Sequence, residues 1–217
     1  HGDDQTPALL FTASHGMIFS SAPEQQQFRE QGAVLCQRWT QGAPILRDHY
    51  FAAEDLGDAN LLGLVAMFFA CFGVSTPKFD YFTHPRATAK MQIAPHSFIS
   101  ALPNRMLRQG ALAVIGHVDR AWGHSFISPG DNVEIEAFVI ALRKLLNGDP
   151  VGLATDPSFN LKYADMSTTL TEVLQELQYD PTYIDDGELV RLWTANNDTR
   201  SYAVLGDPAA RIPFTSS

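Results

Sequence analysis

The chain has 217 residues, 45% of them apolar and 18% charged, which suits one large domain with a buried core and excludes an intrinsically disordered polypeptide. Its formal net charge of -9 and scattered basic residues argue against nucleic acid as a partner, because that role needs a concentrated Lys/Arg face. Two cysteines make no disulfide framework and point to a reducing, cytoplasmic setting, and the apolar stretch 61–74, broken by Gly63 and Gly73, is too short to span a membrane. The first five residues carry neither the positive start nor the apolar segment of an export signal.

In chain order, the run Ala8-Leu9-Leu10-Phe11-Thr12-Ala13 predicts a buried strand that stops at Ser14-His15-Gly16. Residues 31–39 read as one arm of a hairpin that extends a sheet edge, with Cys36 a small buried hydrophobe within it. A short helix over 52–56 ends at Gly57 and leads into a second apolar strand, 63–70, which stops at Cys71-Phe72-Gly73. The region 75–108 begins as a substrate-facing loop and turns helical over 97–107, where Pro103 is expected to kink or divide the helix. A third strand over 110–117 runs into the polar segment Val118-Asp119-Arg120-Ala121-Trp122-Gly123.

Helical spacing returns over 133–146 and stops at Asn147-Gly148-Asp149-Pro150. Asp156-Pro157 reads as the start of an amphipathic helix carrying Phe159, Tyr163, Met166, Leu170, Val173 and Leu177 toward the sheet. A short helix over 187–193, a strand over 201–205 and a structural turn at Gly206-Asp207-Pro208 complete the chain. Strands alternating with helices predict an α/β fold whose mostly parallel sheet, with four main strands, lies between helices.

Such sheets carry their chemistry beyond the carboxyl ends of the strands, so the first two strands aim an imidazole and a thiol at one edge. A thiol becomes a good nucleophile on losing its proton, and a neighbouring imidazole can take that proton and return it to a leaving amine. The amides of Gly16 and Cys71 are the candidate oxyanion donors, and a glycine after the histidine lets the backbone come close to substrate. His117 also ends a strand and is the rival base or a pocket residue, whereas His49, His84, His96 and His124 fall in turns and loops as solvated side chains. No Cys-x-x-Cys or His-x-x-x-His pair suggests a metal, no Gly-x-Ser-x-Gly elbow suggests a serine hydrolase, and no cofactor is expected.

His15 precedes Cys71 by about 56 residues, the order and approximate spacing of caspase-type enzymes and the reverse of papain-like ones. Four ordered blocks carry a more specific likeness: Leu10-Phe11-Thr12-Ala13-Ser14-His15-Gly16-Met17, Phe68-Phe69-Ala70-Cys71-Phe72-Gly73, Ala113-Val114-Ile115-Gly116-His117-Val118-Asp119-Arg120-Ala121-Trp122, and Tyr202-Ala203-Val204-Leu205-Gly206-Asp207-Pro208-Ala209-Ala210-Arg211. With them the chain resembles the clan CD cysteine peptidases, the caspase, gingipain and separase group, and within it the bacterial CHAT domains.

The resemblance implies a caspase-like three-layer α/β/α sandwich and peptide-bond hydrolysis through an acyl-enzyme. His15 and Cys71 would form the dyad, Gly16 and Cys71 the oxyanion hole, and Asp119, Arg120 and Trp122, with Asp80, the wall of the substrate pocket. Phe69 stands where basic-specific relatives carry an aspartate, so the resemblance leaves specificity open. Relatives have further strands before the histidine strand, which implies that 1–217 is a single CHAT peptidase domain lacking its N-terminal strands, the catalytic portion of a larger region. The implied partners are a protein or peptide substrate and an upstream sensor or repeat module, or a companion chain that completes the sheet, as in bacterial antiviral defence. The alternative is a catalytically silent domain of the same fold acting as a regulatory or interaction module; retention of both dyad residues favours the enzyme.

Overall fold

Two apolar runs that end in a reactive side chain lie side by side in a computed structural model, which describes residues 7–80, 82, 90–123, 127–128, 132–133 and 135–213. The elements are β1 (Leu9–Ala13), α1 (Glu24–Glu30), β2 (Val34–Leu35), β3 (Tyr50–Phe51), β4 (Val65–Phe69), β5 (Ser75–Thr76), β6 (Phe98–Ile99), α2 (Ala101–Arg108), β7 (Ala113–His117), β8 (Ile127–Ser128), β9 (Asn132–Val133), α3 (Glu136–Leu146), α4 (Val151–Thr155), α5 (Leu161–Tyr179), α6 (Asp186–Arg200) and β10 (Tyr202–Gly206). The main sheet has the order β1-β4-β7-β10. Its first three strands are parallel and β10 runs antiparallel to β7, which makes the fold mixed α/β with a mostly parallel four-stranded sheet.

Alternation along the strands divides the apolar residues between the two faces. Val65, Met67, Ala113 and Ile115 face a core shared with Phe138, Ala141 and Leu145 of α3 and Val151 and Ala154 of α4. Ala66, Phe68 and Val114 face the opposite core, with Leu102 and Met106 of α2. Burial on both faces explains why these strands read as unbroken apolar runs.

Several expectations are corrected. The hairpin arm at 31–39 is only β2, which pairs with β3 in a separate two-stranded sheet rather than extending the main one. Its strand ends at a turn in which the Trp39 amide donates to the Cys36 carbonyl, and Cys36 is exposed rather than buried. Pro103 neither kinks nor divides α2, because it is the third helical residue, where no intrahelical acceptor awaits an N–H.

The helix foreseen from Asp156 begins earlier, at Val151 behind Pro150, and passes through a wide π-type turn over Asp156–Asn160 before continuing as α5. Pro157 has no N–H to donate one turn back, and the wide turn absorbs that loss. This helix packs chiefly on α6 rather than on the sheet, with the Asn196 side-chain amide donating to Ser167 Oγ at 2.7 Å. The helix foreseen over 187–193 is much longer, opening with Asp185 capping the Glu188 amide at 2.9 Å and running to Arg200. Among the described residues, no helix is long and apolar enough to cross a membrane.

Candidate active site

The parallel register pairs Ala13 with Phe69, and the Ser14 amide continues it by donating to the Phe69 carbonyl at 3.0 Å. His15 and Cys71 each follow two residues beyond that pair, past the ends of adjacent strands. Gly16 then bridges Val34, with the Met17 amide donating to Ala33 and the Leu35 amide to the His15 carbonyl. In such a pair the N–H of Gly16 turns away from β2, and here it favours the Cys71 thiolate. The contact is tight enough that a Cβ on Gly16 would lie 1.8 Å from the Cys71 carbonyl oxygen. Only glycine fits between β2 and the Cys71 backbone.

The turn at Cys71 is fixed from both sides. Phe72 is buried in the left-handed region at φ 57°, uncommon for a bulky residue. Its amide donates to the Asp119 carbonyl at 2.8 Å and its carbonyl accepts Ser100 Oγ at 2.7 Å. Residues 119–122 pass across the half-buried thiol, with the Ala121 amide 3.4 Å from Cys71 Sγ and the thiol donating to the Ala121 carbonyl at 3.6 Å. Burial pushes the Cys71 thiol above its ordinary range, and Asp198 adds to the rise. The Ala121 amide, the Arg120 charge and the Gly16 amide pull the other way.

His15 is exposed, and no described residue hydrogen-bonds its ring. The imidazole and thiol therefore share an edge without being joined. His117 is fully buried behind the 119–122 segment, with Nε2 3.3 Å from Asp198 Oδ1 at an angle that makes no hydrogen bond. Its ring packs on Tyr202 and Phe69. His49 accepts the Leu46 amide and is only partly exposed, whereas His96 is exposed as expected, with its ring stacked on Phe28. His84 and His124 lie outside the described residues, as does much of the foreseen substrate-facing loop.

The foreseen pocket residues come together as one ion-paired group. Arg120 grips buried Asp80 through Nη2 at 2.6 Å and Nε at 3.1 Å from Oδ2. Asp119 is buried beside them with Oδ1 on the Arg120 amide at 2.8 Å, and burial raises its carboxyl to about 6. Trp122 packs its ring near Phe82 and gives its amide to Asp198 Oδ1 at 2.6 Å.

Asp198 was not foreseen. It sits in the polar string Thr194-Ala195-Asn196-Asn197-Asp198-Thr199, all of it buried in α6. With Ala195 the one apolar residue in that buried string, the sequence had no periodic cue there. Among the described residues, no three His, Cys, Asp or Glu side chains gather as a metal site would require. No family model, no curated protein and no solved structure matches the chain.

Proposed function

We propose that this chain is a caspase-like, clan CD cysteine endopeptidase of the CHAT type, with the three-layer sandwich of that group. The observation that carries the reading is the parallel pairing of β1 with β4, which brings the strand ends preceding His15 and Cys71 to one edge, while Gly16 packs on the Cys71 backbone. In the reaction, His15 takes the thiol proton as Cys71 Sγ bonds to the scissile carbonyl carbon, and the carbonyl electrons move to oxygen. The Gly16 and Cys71 amides, neither of which donates to a carbonyl of a described residue, hold that oxyanion. Its collapse expels the amine, which leaves with the proton from His15. Water activated by His15 then hydrolyses the thioester and restores the thiol.

The substrate is a protein or peptide, with Arg120, Asp119, Asp80 and Trp122 beside the bond to be cut. The reading includes control by an upstream sensor or repeat module, or by a companion strand at the open edge of β1, in a bacterial antiviral setting in the cytoplasm. A second reading, a catalytically silent regulatory module, is favoured by one observation: the thiol's hydrogen-bond contacts are with the amide and carbonyl of Ala121 and not with the His15 ring. Cleavage of a candidate protein substrate by the intact protein, set beside Cys71→Ala and His15→Ala, separates the two. Wild-type cleavage with loss of at least about 10³-fold in each variant is expected. Equal cleavage by Cys71→Ala would sink the peptidase reading, and no cleavage under any activating condition would favour the silent module.

A further inference from the structure

The geometry points to Asp198 as a positioning residue for Cys71: by accepting the Trp122 amide, its buried carboxylate holds residues 119–122 as a strap over the thiol and limits access to it. The importance of the strap for catalysis rests on the peptidase reading; the strap itself does not.

Among the described residues, three backbone hydrogen bonds and one ion pair hold the strap, beside the Trp122 ring on Phe82. Its entry is fixed where the Val118 amide donates to the Ser201 carbonyl at 2.8 Å, between the ends of β7 and β10. The Asp119 carbonyl takes the Phe72 amide, and the Arg120 guanidinium is gripped by Asp80. The last hold is Asp198, whose Oδ1 receives the Trp122 amide at 2.6 Å, the short distance of a charge-assisted bond. Between the third and fourth holds lies Ala121, with its amide and carbonyl both on Cys71 Sγ. Loosening the fourth hold lets Ala121 lift.

Asp198 is ill suited to a purely packing role. Its side chain is 0% exposed, its Oδ1 has His117 Nε2 at 3.3 Å without a hydrogen bond, no Lys or Arg among the described residues pairs with it, and Oδ2 has no hydrogen-bond partner there. A carboxylate buried in that way is costly, and Asn or Ser would fill the space at less expense. The one hydrogen bond that its charge strengthens belongs to the strap. The charged groups acting on Cys71 are Arg120 on the strap and Asp198 on α6; Asp80 grips Arg120, Asp119 accepts the Arg120 amide, His117 lies against Asp198, and His15 stands at the end of β1.

The test is alkylation of Cys71 by iodoacetamide in the full chain with Cys36→Ser, so that one thiol reports. Rates are followed from pH 6 to 10 to obtain the limiting rate of the thiolate, together with amide hydrogen exchange over 119–123. Asp198→Ala is expected to raise the limiting rate about tenfold and to speed exchange by a similar factor, the effect of losing one charge-assisted hydrogen bond. Asp198→Asn keeps an oxygen on the Trp122 amide and is expected to raise both roughly two- to threefold. Leu145→Ala, a destabilised core variant remote from the strap, should leave both at the parent value.

Parent-like alkylation and exchange in the Asp198 variants would overturn the proposal, and so would an equal rise in Leu145→Ala, which would mean general loosening. Should Asp198→Ala not fold, Asp198→Asn decides on the same two readouts. Neither readout uses a peptide substrate, so the peptidase reading can fail in its own assay while the strap stands.

Discussion

At the scale of single residues, the site depends on contacts with no spare room. A methyl group on Gly16 would overlap the Cys71 carbonyl, and because both partners are backbone, relief requires β2 or the Cys71 turn to move. Gly16→Ala is therefore expected to cost about 1–3 kcal/mol in denaturant unfolding. It should also lower any peptidase rate by roughly 10²-fold or more through displaced amide donors. A normal rate in a folded Gly16→Ala protein would remove Gly16 from the oxyanion hole. Asp119 makes a different prediction, because burial raises its carboxyl to about 6 in the folded chain. The native state then holds a proton that the unfolded chain has released, so stability is lost as pH rises through the interval between the ordinary value and 6. The loss is complete above it and is on the order of 2–3 kcal/mol. Asn keeps the oxygen that accepts the Arg120 amide without the charge. Asp119→Asn should match the parent Tm near pH 4 and exceed it by roughly 5 °C at pH 8. A Tm difference that does not change with pH would show that the buried charge is not the cause.

At the scale of elements, legibility followed burial. β4 and β7 were plain in the sequence because a strand buried on both faces needs apolar residues at every position, and Val65, Ala66, Met67 and Phe68 supply them, whereas β1, foreseen as a buried strand, lies at the edge of the sheet with Phe11 42% exposed. The edge of the sheet that carries His15 and Cys71 was legible for the same reason, since both strands end at a turn-forming glycine or polar residue. The helices were less so. Pro157 resembles a helix start, but the chain was already helical from Val151, and a wide turn accommodates a proline that local rules treat as a boundary. The carboxyl half of α6 was missed because its buried face is made of Thr194, Asn196, Asn197, Asp198 and Thr199, of which Asn196 and Asp198 bond to the tertiary partners Ser167 and Trp122. No one-dimensional pattern encodes those partners. The strap was half legible: its residues were singled out as a pocket wall, while the carboxylate that holds it lies some eighty residues further on, within reach only after α6 folds back.

At the scale of the whole molecule, the main sheet acts as a partition. Alternate residues of β4 and β7 enter two cores, one closed by α3 and α4 and the other by α2. The candidate site lies beyond the strand ends and is built from turns that belong to neither. If the partition is real, damage on one face should not be felt on the other. Val151→Ala removes two methyl groups from the first core and Val114→Ala two from the second, both at fully buried positions. Each should cost about 2–3 kcal/mol, from lost transfer energy and an unfilled cavity. Because the two side chains share no core, the double variant should lose the sum of the single losses to within about 0.5 kcal/mol in urea unfolding. The limiting rate of Cys71 alkylation should stay at the parent value in all three. Coupling well above that margin would mean that the faces communicate through β7, and a changed alkylation rate would mean that the site is shaped by the cores. With additivity and an unchanged thiol, the strand register and the turns set the site, and variants of the strap can be read without correction for the cores.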